Sequence, residues 1–155
     1  MKILVLKPDT ESHGIHVILQ EIDGSDTLHE FYRVLDCRSI DMLDVRVGKR
    51  AYVIICDDEF LYKDPCIPVF RHPDGTILCG RIAFARLDKE RNTVGLKDSD
   101  IPILREAIKA QIPSLVRALM QLRDDFFSKW ICSDVLSEDR AEGAVREALK
   151  IINEH

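Results

Sequence analysis

The stretch Ser39-Ile-Asp-Met-Leu-Asp-Val-Arg-Val-Gly-Lys-Arg-Ala-Tyr-Val-Ile-Ile-Cys56 decides the fold. In its first half Ile40, Met42 (then Leu43), Val45 and Val47 stand against Asp41, Asp44 and Arg46. Such alternation belongs to a half-buried strand, because successive side chains leave a strand on opposite faces. Gly48-Lys49 reads as a turn, and Ala51 to Cys56 as an apolar strand. Residues 39–56 therefore predict a β-hairpin whose charged loop stays in water.

Upstream, Lys2 to Leu6 is a continuous apolar run stopped by Pro8, which predicts an interior strand. Ile15 to Ile22 predicts a second strand, closed by Asp23-Gly24. Ser25 or Asp26 can cap a helix with Leu28, Phe31, Tyr32 and Leu35 on one face. Downstream, residues 64–76 read as irregular, ending in the turn Pro73-Asp-Gly-Thr76. Ile77 to Leu87 predicts a long strand with a bulge at Gly80, and Thr93 to Lys97 a short closing strand.

The character of the chain changes near residue 98. Six of the seven glycines and four of the six prolines precede it, so turns concentrate there. Asp98-Ser-Asp-Ile-Pro102 is a helix start, with acids at the positive end of the helix dipole and proline in the first turn. Leu104, Ile108, Ile112, Leu115, Leu119, Leu122, Phe126 and Trp130 then hold one helical face, interrupted by Pro113. A last helix is capped by Ser137 and striped by Ala141, Ala144, Val145, Ala148, Leu149 and Ile152. The expectation is an α+β fold. A mixed, mainly antiparallel sheet of five or six strands with one helix fills residues 1–98, and a C-terminal α-helical hairpin fills residues 99–155 as an appendage packed on it or used for association.

Charge narrows the function classes. The 155 residues carry 22 Lys+Arg against 27 Asp+Glu, a net of -5. Residues 1–98 hold 14 basic and 17 acidic side chains and residues 99–155 hold 8 and 10, so the excess is spread evenly. That disfavours a duplex binder driven by phosphate neutralisation, and equally a mimic of DNA by bulk charge. No run approaches the roughly 20 apolar residues of a membrane span, and the apolar stretch after Met1 is short for a signal peptide. Five cysteines, an odd number with no CxxC pair, read as reduced thiols. A cytoplasmic protein is expected.

A family resemblance rests on Met1-Lys-Ile-Leu-Val-Leu-Lys-Pro8, Glu21-Ile-Asp-Gly-Ser25, Ile54-Ile-Cys-Asp-Asp-Glu-Phe60 and Gly80-Arg-Ile-Ala-Phe84. Over residues 1–98 the chain resembles a domain-of-unknown-function family of small proteins from Firmicutes, their phages and mobile elements. It departs from that pattern in the 61–72 loop. The resemblance implies a cytoplasmic protein of phage or mobile-element type and carries over no active-site residue.

Candidate sites follow from residue chemistry. Asp57-Asp58-Glu59 closes an apolar strand; carboxylates there suit Mg²⁺ or acid–base work, but strand neighbours diverge, so at most two of the three converge. Phe127 and Ile131, about 100° round the long helix from the stripe that carries Trp130, widen its apolar face beyond what one partner helix needs, so that Phe127, Trp130 and Ile131 suit an interface. Arg46, Arg50, Arg81 and Arg86, if gathered on one sheet face near Tyr52 and Phe84, would suit single-stranded RNA. Cys56, Cys66, His72 and Cys79 match no zinc spacing, and no phosphate loop or nucleophile elbow appears. Each histidine reads as structural or exposed; no metal and no cofactor is expected. The leading expectation is a non-enzymatic protein-binding module using Phe127, Trp130, Ile131, Asp57, Asp58 and Glu59. Its partner would be another protein, a host defence nuclease in the specific, anti-CRISPR-like form, with a homodimer as a further option. The alternatives are a small Mg-dependent enzyme of nucleotide or nucleic-acid metabolism and the RNA-binding sheet.

Overall fold

The structure is a computed structural model that describes residues 1–9, 14–63 and 67–111. The helical hairpin expected beyond residue 111, with Phe127, Trp130 and Ile131, lies outside the described residues, as do Cys66 and Cys132.

The quoted hairpin forms as expected. β3 (Ile40–Val47) and β4 (Arg50–Asp57) pair antiparallel in unbroken register from Ile40 opposite Asp57 to Val47 opposite Arg50. The turn is tight because Gly48 sits at φ +61, a conformation costly for any residue with a Cβ. β1 (Lys2–Asp9) and β2 (Gly14–Glu21) form a second antiparallel pair. Between the two hairpins runs β7 (Ile82–Leu87), bonded to β1 on one side and β4 on the other. The sheet order is β2-β1-β7-β4-β3, and the short β8 (Thr93–Val94) pairs with the end of β7. Every pairing described is antiparallel.

β1 runs through Pro8 instead of stopping there. Lys2 O accepts from Leu96 N, so even-numbered β1 groups face the β7 side. β7 reaches only Leu4 to Leu6, and the N–H that Pro8 lacks would point where no strand lies.

The central strands are apolar without a break because both faces are covered. On one face Ile3, Val5, Val53, Ile55, Ala83 and Ala85 meet α1 (Thr27–Leu35) through Phe31, Val34 and Leu35. The helix face differs from the expected one: Leu28 is 49% exposed, and Val34 takes the place given to Leu28 and Tyr32. Asp26 is the N-cap by position without a side-chain capping bond, and Ser25 bonds Asp23 instead.

The other face is covered by segments that read as irregular or as one strand. β5 (Pro68–Arg71) and β6 (Ile77–Cys79) pair as a separate two-stranded sheet. The break at Gly80 thus divides strands of two sheets and is no bulge within one. Phe70 meets Phe84 edge to face at 5.2 Å, joining the small sheet to the large one. Beside them a 3₁₀ turn (Asp98–Asp100) leads into α2, helical from 101 to the last described residue, 111. Leu104 is fully buried with Leu4, Leu6, Tyr52, Ile54, Ile82 and Phe84, and Ile101 and Ile108 pack beside it. The chain therefore passes residue 98 without leaving the core. Among the described residues no helix is long and apolar enough to cross a membrane.

Candidate functional site

The register of the sheet sorts the sequence candidates. Arg50 and Arg86 share a face with Tyr52, since Arg86 stands opposite Tyr52 and Arg50 precedes it by two. Arg46 stands opposite Ala51 and so points to the other face. Arg81 lies one residue out of phase with Ile82 and donates to Val34 O at the end of α1. The four arginines do not gather on one face: two go to each.

Arg50 and Arg86 converge on Asp100, a residue the sequence presents only as part of a helix start. Its carboxylate is 1% exposed. Oδ1 accepts from Arg50 Nη1 at 2.6 Å and from Tyr52 OH at 3.0 Å. Oδ2 accepts from the Lys97 backbone N–H at 2.8 Å and stands 3.9 Å from Arg86 Nε. Asp100 N in turn donates to Lys97 O, which ties the start of the 3₁₀ turn to itself. Burial pushes this carboxyl up, but the bonds from Lys97, Arg50 and Tyr52 together outweigh it, and the net shift is downward. Burial, followed by the facing carboxylate, raises the Tyr52 phenol.

The acidic corner at the end of β4 is divided in the same way. Asp57 is buried, accepts from Glu59 N at 2.9 Å and is paired with Lys63. The Lys63 contact is an ion pair in distance but lacks hydrogen-bond alignment, leaving Oδ2 short of a directed donor. Asp58 is exposed and its carboxylate is 3.4 Å from Ser39 Oγ, while Glu59 is exposed on the turn. Among the described residues no group of three or more His, Cys, Asp or Glu side chains is placed to hold a metal ion. Cys56 is buried in the core, and burial, with Asp41 next, pushes its thiol up to about 12, which makes it inert at neutral pH.

The two edges of the main sheet differ. In β3 the even-numbered backbone groups face outward, because Ser39 O accepts from Asp58 N on the β4 side. Two of these outward groups are occupied: Met42 N donates to Asp41 Oδ1, and Asp44 O accepts from His72 Nε2, each at 2.8 Å. A carbonyl only accepts, so Nε2 carries the hydrogen. Arg91 pairs with the Asp44 carboxylate on the same edge. In β2 the odd-numbered groups face outward, since Ile22 N donates to Met1 O. Arg105 of α2 reaches Val17 O at 3.5 Å, and among the described residues the outward groups of Leu19 and Glu21 meet no partner. Ile18 and Leu19, at the middle of this edge, are 43% and 44% exposed.

The sequence matches a family model, "Domain of unknown function (DUF3846)", over residues 1–109. The chain belongs to the DUF3846 family. The DUF3846 match takes in α2 as far as Lys109, in keeping with the burial of Asp100 and Leu104 against the sheet. No curated protein and no solved structure matches the chain.

Proposed function

We propose that this DUF3846 chain is a non-enzymatic binding module that contacts another protein by adding one of that protein's extended segments to the outer edge of β2. The observation that supports the reading is the contrast between the two edges. On β3 two outward groups at the middle of the strand are occupied, Met42 N by Asp41 and Asp44 O by His72, which hinders pairing with another chain there. β2 runs for eight residues, Arg105 reaches its edge at Val17 O, and it offers apolar Ile18 and Leu19 on opposite faces beside the outward backbone of Leu19 and Glu21, which meets no partner among the described residues. An added strand would gain main-chain hydrogen bonds at the edge and side-chain contacts at those two residues.

The finer form of this reading is an inhibitor of a host defence nuclease in the cytoplasm of a bacterium, the protein being of phage or mobile-element type. It draws on the resemblance alone. In it the exposed Asp58 and Glu59, and the Phe127, Trp130 and Ile131 face, would extend the contact; Asp57 is engaged inside the fold and contributes nothing to a surface.

The test is a backbone change that spares the fold. The N–H of Leu19 points away from β1, so Leu19→Pro removes no internal ladder bond but blocks an incoming strand. Capture from host lysate should identify a partner that the Leu19→Pro chain fails to retain, and hydrogen exchange on the reconstituted pair should show slowed Leu19 and Glu21 amides. A partner held equally well by Leu19→Pro, with those amides unprotected, would overturn the edge reading.

A further inference from the structure

On the face of the sheet opposite α1, a cleft of about 370 Å³ opens between the start of β4, the end of β7 and the turn into α2. Arg50, Arg86 and Lys97 bring three positive charges to it, and Asp100 brings one negative charge. The Asp100 lone pairs are already taken by Arg50, Tyr52 and the Lys97 backbone. The carboxylate therefore acts as an anchor that orients the arginines while cancelling one charge, and the cleft keeps a net charge of +2. Asp88, the acid beside Arg86, is turned into its own loop, where it accepts from Glu90 N, Asn92 N and Asn92 Nδ2. Asp98 faces away to pair with Lys2.

Donors remain in the cleft after these bonds are counted. Arg50 uses Nη1 alone, on Asp100 and on Ser99 Oγ, which leaves its Nε and Nη2 hydrogens. Among the described residues Arg86 stands 3.9 Å from Asp100 at Nε and feels the Asp88 carboxylate at longer range, without a close hydrogen bond to either, and the Lys97 ammonium takes no part in the Asp100 network. The Ser99 hydroxyl accepts from Arg50 and keeps its own hydrogen to give. Ala51 and Leu87 border the cleft with their backbone, since their side chains leave the sheet on the α1 face. Charges fixed in advance by a buried carboxylate cost little reorganisation when an anion arrives, and guanidinium forks suit tetrahedral oxyanions.

We propose that this cleft binds a small phosphate monoester, with Arg50, Arg86, Lys97 and the Ser99 hydroxyl on the dianionic phosphate and the carbon skeleton directed out of the open side of the cleft. The volume lies at the small end of ligand pockets, the size of a sugar phosphate or a mononucleotide. The site is remote from the β2 edge and does not depend on the strand-addition reading.

Calorimetric titration of the full chain with glucose 6-phosphate and with AMP tests it, with glucose and adenosine as phosphate-free controls. At least one ester should bind saturably, and neither control should. Lys97→Ala and Arg86→Gln should each weaken binding about tenfold or more. Neither side chain makes a close hydrogen bond in the Asp100 network, so the melting temperatures should stay near that of the parent chain. No saturable binding of either ester up to about 10 mM would overturn the proposal. So would binding that Lys97→Ala and Arg86→Gln leave unchanged, or a 5′-phosphorylated oligonucleotide bound more tightly the longer it is, which would place the anion site on a nucleic-acid track.

Discussion

Asp100 shows how one side chain can organise a region remote from it in sequence. It joins Arg50, Tyr52 and Lys97, so its loss leaves a buried phenol and an unmatched amide. Asp100→Asn keeps the size but sets a side-chain N–H₂ against either the Lys97 N–H or the Arg50 and Tyr52 donors. The expected cost at neutral pH is about 1–3 kcal/mol. The sign of the pH dependence follows from the downward shift of this carboxyl. A carboxyl whose folded value is depressed contributes stability above the ordinary aspartate value of about 3.9, and loses it as the pH falls through the folded value. The gap between parent and Asp100→Asn in denaturant unfolding should therefore narrow from pH 7 to pH 3. A gap that stays constant across that range would deny the ionised carboxylate its part.

At the scale of elements, the main sheet is held at its centre by β7 and closed at one corner by a backbone crossing. There Leu96 N donates to Lys2 O at 2.8 Å, bringing the segment after β8 onto the start of β1. Gly95 permits this approach. A Cβ at that position would lie 3.1 Å from the Lys2 nitrogen and 3.1 Å from Met1 Cγ. The methionine side chain can move, but the strand backbone cannot without disturbing its ladder. Gly95→Ala should cost about 1–3 kcal/mol, the usual penalty of overpacking, and should speed hydrogen exchange at the Leu96 amide. Unchanged melting and unchanged exchange would mean that the corner is looser than its distances indicate. Gly48 is the contrasting case: nothing lies within 4 Å of its would-be Cβ, and its demand comes from φ +61 alone.

For the whole molecule, the question is where the folded body ends. α2 docks through Leu104, and Asp100 fixes the entry of that helix. A chain ending at residue 97 loses both, whereas one ending at 111 keeps both. The shorter chain should melt at markedly lower temperature, and Leu104→Ala in the full chain should cost about 2–5 kcal/mol by opening a cavity between α2 and the sheet. Equal thermal unfolding of the two truncated chains would place α2 outside the cooperative unit.

Local pattern was enough for much of this. The 39–56 hairpin, the apolar β1, the position of α1 and the helix start after residue 97 are each set by neighbours a few residues apart. Turn geometry and hydrophobic period act over that distance. One further point was available at the same range: a two-residue turn at Gly48-Lys49 pairs residue 46 with 51, so Arg46 and Arg50 must face opposite ways. What local pattern could not reach was decided by packing. β5 is too short to register as a strand and β6 reads as part of β7; the two pair as a separate sheet over the face of the main one. Val34 is buried on α1 and Leu28 exposed because the helix meets the sheet through Phe31, Val34 and Leu35. Asp100 meets Arg50 and Tyr52 across about 50 positions of chain. Composition and period settled that an antiparallel sheet would form and which segments would be its strands. Only the folded arrangement decided which charges met across it, because a buried carboxylate must find its donors wherever the chain brings them.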